Sequence, residues 1–286
     1  MSRQPSAPRT ALCWGTVLGA DFDGLLAAAR HAGVPAVMVS PALYFKARAA
    51  GRSEKELLNA VLDSGVAVAV VDALVSPLPG LPDPASVPEP VRPVFTFSEE
   101  DCMRMAEVLD APIVNVAHVM GGPVPETEMA AALAGIATRA RARGLKVSVE
   151  FMPNSAAIPD LAAARRLIAA AGEPNLGVML DTWHLFRSGG EPSDVAAAPA
   201  GIFLGVQVAD APADAKGRPP VPMQDRMVPG DGAIPITSIL AAVLLGSPEA
   251  VIGVEVISRA MAALAPDDAA QQAAAAMLRL LPTITR

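Results

Sequence analysis

The sequence predicts an α/β protein whose core is a closed barrel of eight parallel strands, and three observations support this. Eight short apolar runs alternate with stretches of helical periodicity along the 286 residues. Each of the last four runs carries a polar residue at or near its carboxyl end. The length suits one barrel, which takes about 250 residues, better than two domains. A strand and helix unit repeated eight times is typical of a single-domain (β/α)8 or TIM barrel.

The eight predicted strands are rich in β-branched residues. They begin at Ala11, Pro35, Val66, Pro112, Leu145, Leu176, Ile202 and Val251. Between them, Ser53 with Glu56 has the spacing of a capping box at a helix start, and Ser98 with Asp101 is similar. A doubly wound open sheet is the alternative. No GxGxxG motif follows the first run, so dinucleotide binding has no support.

Two segments interrupt the alternation. Seven prolines fall within residues 77–93, and residues 211–233 are too long for an ordinary connection. Because loops at the carboxyl face of a barrel build its active site, both are candidate walls of a site. We expect residues 1–10 to form a flexible tail and residues 11–286 to form one barrel domain.

Composition limits the partners. The formal net charge of −7, without a Lys/Arg-rich run, disfavours binding to nucleic acid or to an anionic membrane surface. Cys13 and Cys102 form no CxxC pair, which predicts reduced thiols in the cytoplasm. No stretch has about 18 uninterrupted apolar residues. The expected partner is a small molecule, and a homo-oligomer remains open.

The polar residues at the carboxyl ends of the last four strands predict a metal site. They are Glu150, Asp181, Gln207 and Glu255. Alternation along a strand puts each of them on the side opposite to its flanking valines or leucines. Three carboxylates that converge at one end of a barrel repel one another without a cation. A divalent metal ion is the simplest way to hold them together.

At these residues the chain resembles the xylose isomerase-like TIM-barrel superfamily, which includes ketose 3-epimerases, inosose dehydratase, 3-dehydroshikimate dehydratases and endonuclease IV. The resemblance lies in VEFMP at Glu150, DTWH at residues 181–184, QVAD at Gln207, Arg226 before PGDG, and GVEV at Glu255. Strands five to eight carry it, whereas the amino-terminal half matches by architecture alone. Three histidines and an acidic charge balance disfavour the endonuclease.

The resemblance implies roles for particular residues. It makes the four polar strand ends the ligands of one divalent ion. Gln207 stands where the epimerases usually have His, which favours Mn²⁺ or Mg²⁺ over Zn²⁺ and is similar to some dehydroshikimate dehydratases. His184 would contact the substrate or act as acid or base, and Arg226 would reach a substrate oxygen. His118, near the end of the fourth strand, is a weaker candidate for substrate binding.

Two reactions fit this set of residues. In an isomerase or epimerase, Glu150 and Glu255 would act on opposite faces of a substrate enediolate, one removing a proton and the other returning it. In a dehydratase of a cyclic hydroxyketo acid, the same intermediate would expel a hydroxyl with help from His184. A binding barrel without catalysis is a minor alternative. Because Arg226 is the main cation near the site, we expect a non-phosphorylated substrate. Lys46 and Arg187 are predicted to be surface charges.

Overall fold

The computed structural model describes residues 9–89, 92–218 and 225–281, and it confirms the predicted TIM barrel. Eight parallel strands pair in chain order, and the last closes onto the first. The strands are β1 Thr10–Cys13, β2 Ala36–Val39, β3 Ala67–Leu74, β4 Ile113–Ala117, β5 Lys146–Glu150, β6 Leu176–Asp181, β7 Phe203–Val208 and β8 Val251–Val254.

Helices cover the outside of this barrel. They are α1 Phe22–His31, α2 Pro41–Ala49, α3 Glu54–Ser64, α4 Glu99–Val108, α5 Glu126–Ala142, α6 Leu161–Ala171, α7 Thr182–Arg187, α8 Pro192–Ala196, α9 Ile236–Gly246, α10 Arg259–Ala262 and α11 Pro266–Leu280. Both predicted capping boxes are confirmed, with Ser53 and Glu56 at the start of α3 and Ser98 and Asp101 at the start of α4. Among the described residues, no helix has the length and apolarity needed to cross a membrane.

The interior of the barrel is filled beneath the polar strand ends. Met179 and Met38 lie inside the barrel with Cys13, and Gly205 and Gly253 stand beside them. A Cβ at Gly205 would lie 2.8 Å from the Met179 methyl carbon, and one at Gly253 would lie 2.6 Å from that of Met38. The glycines therefore make room for two methionine side chains. These buried apolar side chains fill the barrel beneath the site.

Two predicted boundaries differ from the structure. Residues 1–8 of the predicted tail lie outside the described residues, but Thr10 is already in β1 and pairs with Ile252. The first apolar run, ALCWGTVL from Ala11, also predicts a longer strand than the structure has, because β1 ends at Cys13 and a 3-10 turn follows over Trp14–Val17. In that turn the Thr16 hydroxyl donates to the Val254 carbonyl at 2.9 Å, which replaces backbone pairing with β8.

The two loops that interrupt the alternation follow β3 and β7. The proline-rich loop contains short 3-10 turns at Pro84–Ser86 and Arg92–Phe95, and its residues 90 and 91 lie outside the described part. In the second loop, residues 219–224 lie outside it as well. The returning part of that loop is anchored, since Asp210 and Met227 form an antiparallel bridge. This bridge fixes the segment that carries Arg226.

Candidate active site

The four polar strand ends are all buried at the carboxyl face of the barrel. Glu150 and Asp181 are the last residues of β5 and β6, Gln207 lies in β7, and Glu255 directly follows β8. Their exposed fractions are 5%, 0%, 1% and 4%, respectively. Asp181 and Gln207 are register partners, so their side chains start from neighbouring positions on the same side of the sheet. Burying this many carboxylates demands compensating partners.

His184 lies among the carboxylates. Its Nε2 is 3.2 Å from Glu150 Oε1 and 3.5 Å from Asp181 Oδ2. Asp181 fixes this arrangement because its Oδ1 accepts hydrogen bonds from the backbone N–H groups of Trp183 and His184, at 2.7 and 3.2 Å, and so caps α7. One oxygen of Asp181 therefore orders the helix, while Oδ2 faces the site.

Arg226 is the cation that the structure places between the carboxylates. Its Nη2 lies 2.8 Å from Asp181 Oδ2, and its Nη1 lies 3.4 Å from Glu255 Oε2. The side chain is only 9% exposed. Burial alone would lower the pKa of Arg226, but the charges of Asp181 and Glu255 outweigh burial and raise it. Arg226 is therefore charged and acts as the counter-ion of the site.

Arg226 packs on Trp183, which Asp225 holds in place. The Arg226 guanidinium lies over the Trp183 ring, 4.8 Å from its centroid, and Arg187 lies over the same ring at the same distance. Asp225 accepts a hydrogen bond from Trp183 Nε1 at 3.2 Å and forms an ion pair with Arg187. The prediction that Arg187 is a surface charge is therefore wrong. Its side chain is 4% exposed because Asp225 and the indole ring together replace water around it.

Two further polar residues belong to the site and were not identified from the sequence. Asp72, two residues before the end of β3, accepts hydrogen bonds from Asn115 Nδ2 at 2.7 Å, Gln207 Nε2 at 3.1 Å and Trp14 Nε1 at 3.2 Å. Asn115 Nδ2 also lies 2.7 Å from Glu150 Oε2. In the sequence, each is a single polar residue inside an apolar run, VVDAL or IVNVA. A single polar residue in an apolar run is the signal that the sequence offers for both.

Burial and mutual repulsion shift the titration of these carboxyl groups. Burial raises the pKa of Asp72 to about 7, with Glu150 adding to the rise and the hydrogen bond from Asn115 opposing it. Burial also raises the pKa of Glu255 well above its usual range, although Arg226 opposes the rise. Burial would raise the pKa of Asp181 too, but Arg226 and His184 outweigh it and lower that pKa. With Arg226 as the counter-ion, Asp72 and Glu255 therefore hold protons more readily than free carboxyl groups do. A bound metal ion would displace these protons.

The donor atoms fit a divalent metal ion. Gln207 Oε1 and Asp181 Oδ2 are buried and accept no hydrogen bond of normal geometry, although Arg226 stands close to the latter. Amide and carboxylate oxygens are the ligands of hard cations. Among the described residues, Glu150, Asp181 and His184 each offer one ligand atom, and these three atoms lie within 4.8 Å of one another. Glu255 lies beside this group, turned toward Arg226 and the Gln207 amide.

A cavity of about 130 Å³ opens over these groups. Seven polar residues line it, namely Ser40, Asp72, Glu150, His184, Gln207, Arg226 and Glu255. The remaining wall is largely apolar and includes Trp14, Pro41, Val75, Val94, Phe97 and Met152. Of the described residues that line the cavity, Arg226 alone has a permanently cationic side chain. The cavity therefore suits a small ligand with few anionic charges.

His118, predicted as a substrate contact, is not among the described residues that line this cavity. It is fully buried, with Nδ1 2.7 Å from Ser155 Oγ and Nε2 2.9 Å from the Pro79 carbonyl. Gly121 packs directly on the ring, since a Cβ there would lie 1.9 Å from His118 Cε1. Both ring nitrogens thus join the loops that follow β3 and β5. The structure supports a packing role for His118 and does not bring it to the other candidates.

This packing role predicts a pH dependence of stability. Burial lowers the pKa of His118, so the unfolded chain binds a proton there more readily than the folded protein. Above pH about 6.5, the pKa of histidine in the unfolded chain, the ring is neutral in both states and its contribution to the free energy of unfolding is complete. This contribution is lost as the pH falls below that value. We expect His118→Gln to lose less unfolding free energy between pH 7.5 and 5.5 than the wild type in urea titrations. His31→Gln, at an exposed helix end, is the control; equal losses in all three proteins would contradict the assignment.

The barrel and its acidic, cation-bridged cavity at the carboxyl face define an enzyme-like α/β barrel. The chain matches the profile of the xylose isomerase-like TIM barrel over residues 26–281 and belongs to that family. Members of the family include isomerases, epimerases and dehydratases. The predicted superfamily is thus confirmed.

Solved structures share the whole fold. The IolI protein, crystallised with a bound zinc atom, superposes with a TM-score of 0.81 at 17% identity, covering 96% of this chain and 98% of that one. D-psicose 3-epimerase superposes with a TM-score of 0.67 at 16% identity, covering 95% and 97% of the two chains.

Two curated relatives are similar over a shorter stretch. A 3-dehydroshikimate dehydratase of Pseudomonas aeruginosa is 29% identical over 123 residues, which are 43% of this chain and 19% of that protein. The Pseudomonas putida enzyme of the same name is 30% identical over 102 residues, or 36% and 16% of the two chains. The match therefore spans less than a fifth of each relative.

Proposed function

We propose that this protein is a divalent-metal-dependent isomerase or epimerase that acts on a non-phosphorylated hydroxyketone or sugar-like substrate through an enediolate. The observation that carries the proposal is the group of buried, convergent oxygen donors over one small cavity, with Gln207 Oε1 and Asp181 Oδ2 lacking hydrogen bonds of normal geometry. A protein that merely packs its barrel has no reason to bury such groups together.

Glu150, Asp181, Gln207 and Glu255 are the residues that would hold the ion. Three carboxylates and one amide oxygen form a hard donor set, which favours Mn²⁺ or Mg²⁺. When bound, the ion would polarise the substrate carbonyl and offset the charge of the enediolate. Arg226 would then be free to turn from the carboxylates toward a substrate oxygen.

The carboxylates also supply the proton transfers. Glu150 is oriented by Asn115 at Oε2 and lies against His184 at Oε1, so it is held in place to accept a proton from the carbon next to the carbonyl. Glu255 directly follows another strand, β8, and would return a proton to the opposite face of the substrate. His184 Nε2, beside Glu150, can donate to an oxygen of the substrate.

A dehydratase is the second candidate, and the two Pseudomonas 3-dehydroshikimate dehydratases favour it. In that reaction the same enediolate would lose a hydroxyl group instead of regaining a proton. His184 would protonate the departing oxygen. The two candidates share the first step, in which Glu150 removes a proton, and differ in the second.

One experiment tests the shared step and separates the outcomes. The protein, loaded with Mn²⁺, is incubated in D₂O with a panel of ketohexoses, inososes and 3-dehydroshikimate, and the products are followed by NMR and ultraviolet absorbance. Deuterium on the carbon next to the carbonyl, without loss of water from the substrate, supports the isomerase. A conjugated product that has lost water supports the dehydratase. Neither exchange nor dehydration across the panel, with the ion bound, would contradict the proposal.

Gln207 should set the choice of metal. We expect Gln207→His to keep the fold and to shift the affinity order toward Zn²⁺ and Co²⁺, because imidazole is a softer ligand than an amide oxygen. The measurement is competitive binding of Zn²⁺ against Mn²⁺ by calorimetry, in which the ratio of affinities should rise about tenfold or more over the wild type. Asn175→His, which changes a half-buried asparagine in the loop before β6, is the control. An unchanged ratio would show that Gln207 is not a ligand.

The apolar cavity wall predicts discrimination against phosphate. Within the described lining, a phosphate dianion would find Arg226 alone as a permanent cation, and that cation already faces two carboxylates. We expect kcat/KM for a free hydroxyketone to exceed that for its phosphate ester by about tenfold or more. Paired substrates with and without the phosphate measure this, and a preference for the ester would show that the cavity has been misinterpreted.

A further inference from the structure

We propose that Asp72 is a positioning residue that fixes the amide of Gln207 with its oxygen free, and so makes Gln207 an oxygen ligand of the metal ion. The inference rests on the proposed function, because it concerns the ion of that site. It adds a residue on β3 to a metal site for which the sequence predicts ligands only at the ends of β5–β8.

An amide side chain has two ends of similar size, and only its partners decide which end faces where. Gln207 Nε2 donates to Asp72 Oδ2 at 3.1 Å and lies 3.3 Å from Glu255 Oε1. A bound divalent ion favours the ionised form of both carboxyl groups, and their oxygens then accept hydrogen bonds and favour the NH₂ end of the amide. A flipped amide would bring its oxygen against them and lose both hydrogen bonds in a buried site. The orientation with Oε1 unpaired is therefore the stable one.

Asp72 is the fixed partner of the two. Glu255 is itself a proposed ligand, so its oxygens change partners when an ion binds. Asp72 has both oxygens engaged by the protein, with Oδ1 accepting from Asn115 Nδ2 at 2.7 Å and Oδ2 accepting from Trp14 Nε1 at 3.2 Å. Asn115 is in turn held by the Ser148 hydroxyl, which donates to its Oδ1 at 2.8 Å. The acceptor that orders Gln207 is thus anchored on three strands and one turn.

The test is Asp72→Asn, which keeps size and shape. Asn115 is held at Oδ1 by Ser148 and at Nδ2 by Glu150, so its NH₂ group cannot turn away and favours the new side-chain oxygen at the Oδ1 position. The new NH₂ group then faces Gln207 and requires an acceptor, so the Gln207 oxygen turns toward it and away from the ion. We expect the affinity for Mn²⁺, measured by calorimetry on the full-length protein, to fall about tenfold to a hundredfold, as for other residues that orient a metal ligand.

Two further proteins show whether Asp72 acts through the amide. Gln207→Met removes both the oxygen and the NH₂ group, and in that background Asp72→Asn should change the Mn²⁺ affinity by less than about threefold. Ser247→Ala is the matched control, since it removes the buried hydrogen bond from the Phe203 N–H at the start of β7, at the opposite end of the barrel from the site. It should stay within about threefold of the wild type.

The outcomes separate the claims. An unchanged affinity in Asp72→Asn, or the same loss with Gln207 and with Met at position 207, would overturn the inference. If Asp72→Asn does not fold, as judged by circular dichroism, Asp72→Ser is taken through the same comparison. A wild-type protein that binds no divalent ion would overturn the proposed function instead, before Asp72 is tested.

Discussion

Glu255→Ala should abolish binding of the divalent ion and lower kcat/KM by on the order of a thousandfold or more. The variant removes a carboxylate that is 4% exposed and that faces Gln207 and Arg226. The remaining oxygens are too few to offset the cost of dehydrating the ion. Calorimetry with Mn²⁺ and metal analysis of the purified protein measure the loss directly.

Asp181→Ala should lose the ion as well, with an added effect on stability. Asp181 Oδ1 caps α7, and losing such a cap costs about 1 kcal/mol of unfolding free energy. The two variants should therefore bind equally poorly but differ in thermal stability. Glu249→Ala is the control because Glu249 is exposed just before β8, at the opposite end of the barrel. Full metal content in both site variants would contradict the ligand assignment.

Arg226→Gln should strengthen metal binding and weaken catalysis. A variant that merely fails to fold would lose both. The Arg226 charge now lies 2.8 Å from Asp181 Oδ2 and competes with an incoming cation. Removing a unit charge a few ångströms from an ion is worth on the order of 2 kcal/mol at a partly screened site, so Mn²⁺ should bind about tenfold or more tightly. Catalysis should nevertheless fall by on the order of a hundredfold in kcat/KM, because the substrate oxygen loses its charged donor.

Calorimetry and steady-state kinetics on one preparation measure both effects of the Arg226 substitution. Arg218→Gln is the control, since the Arg218 side chain is 66% exposed and pairs with Asp214 at 3.6 Å. Weaker metal binding in Arg226→Gln would show that the arginine supports the ligands instead of competing with the ion. Unchanged kcat/KM would remove its role in substrate binding.

The barrel, the capping boxes and the four polar strand ends could be predicted because each depends on a local pattern. Alternation along a strand fixes which side Glu150 or Glu255 faces, and the closed topology then brings the strand ends together. The site roles of Asp72 and Asn115 were not predicted because a single polar residue within an apolar strand has no periodicity of its own. Their role appears only when β3 and β4 lie beside β5.

The surroundings of Arg187 and His118 could not be predicted from the sequence for a related reason. Burial of a charge or a ring depends on partners that are distant in sequence, which composition does not reveal. Arg187 is buried because Asp225 returns to it from the long loop after β7. His118 is occupied because Ser155 and the Pro79 carbonyl approach it from two other loops. Loop conformations of this kind follow no simple sequence rule.

The central claim is that the oxygens of Glu150, Asp181, Gln207 and Glu255 hold one divalent ion at the carboxyl face of the barrel. Anomalous diffraction from crystals grown with Mn²⁺ tests it most directly. We predict one strong anomalous peak per chain, at about 2.0–2.4 Å from an oxygen of each of the four side chains, with Arg226 turned away from Asp181. A site without an anomalous peak at saturating Mn²⁺, or a peak bound elsewhere on the protein, would contradict the account.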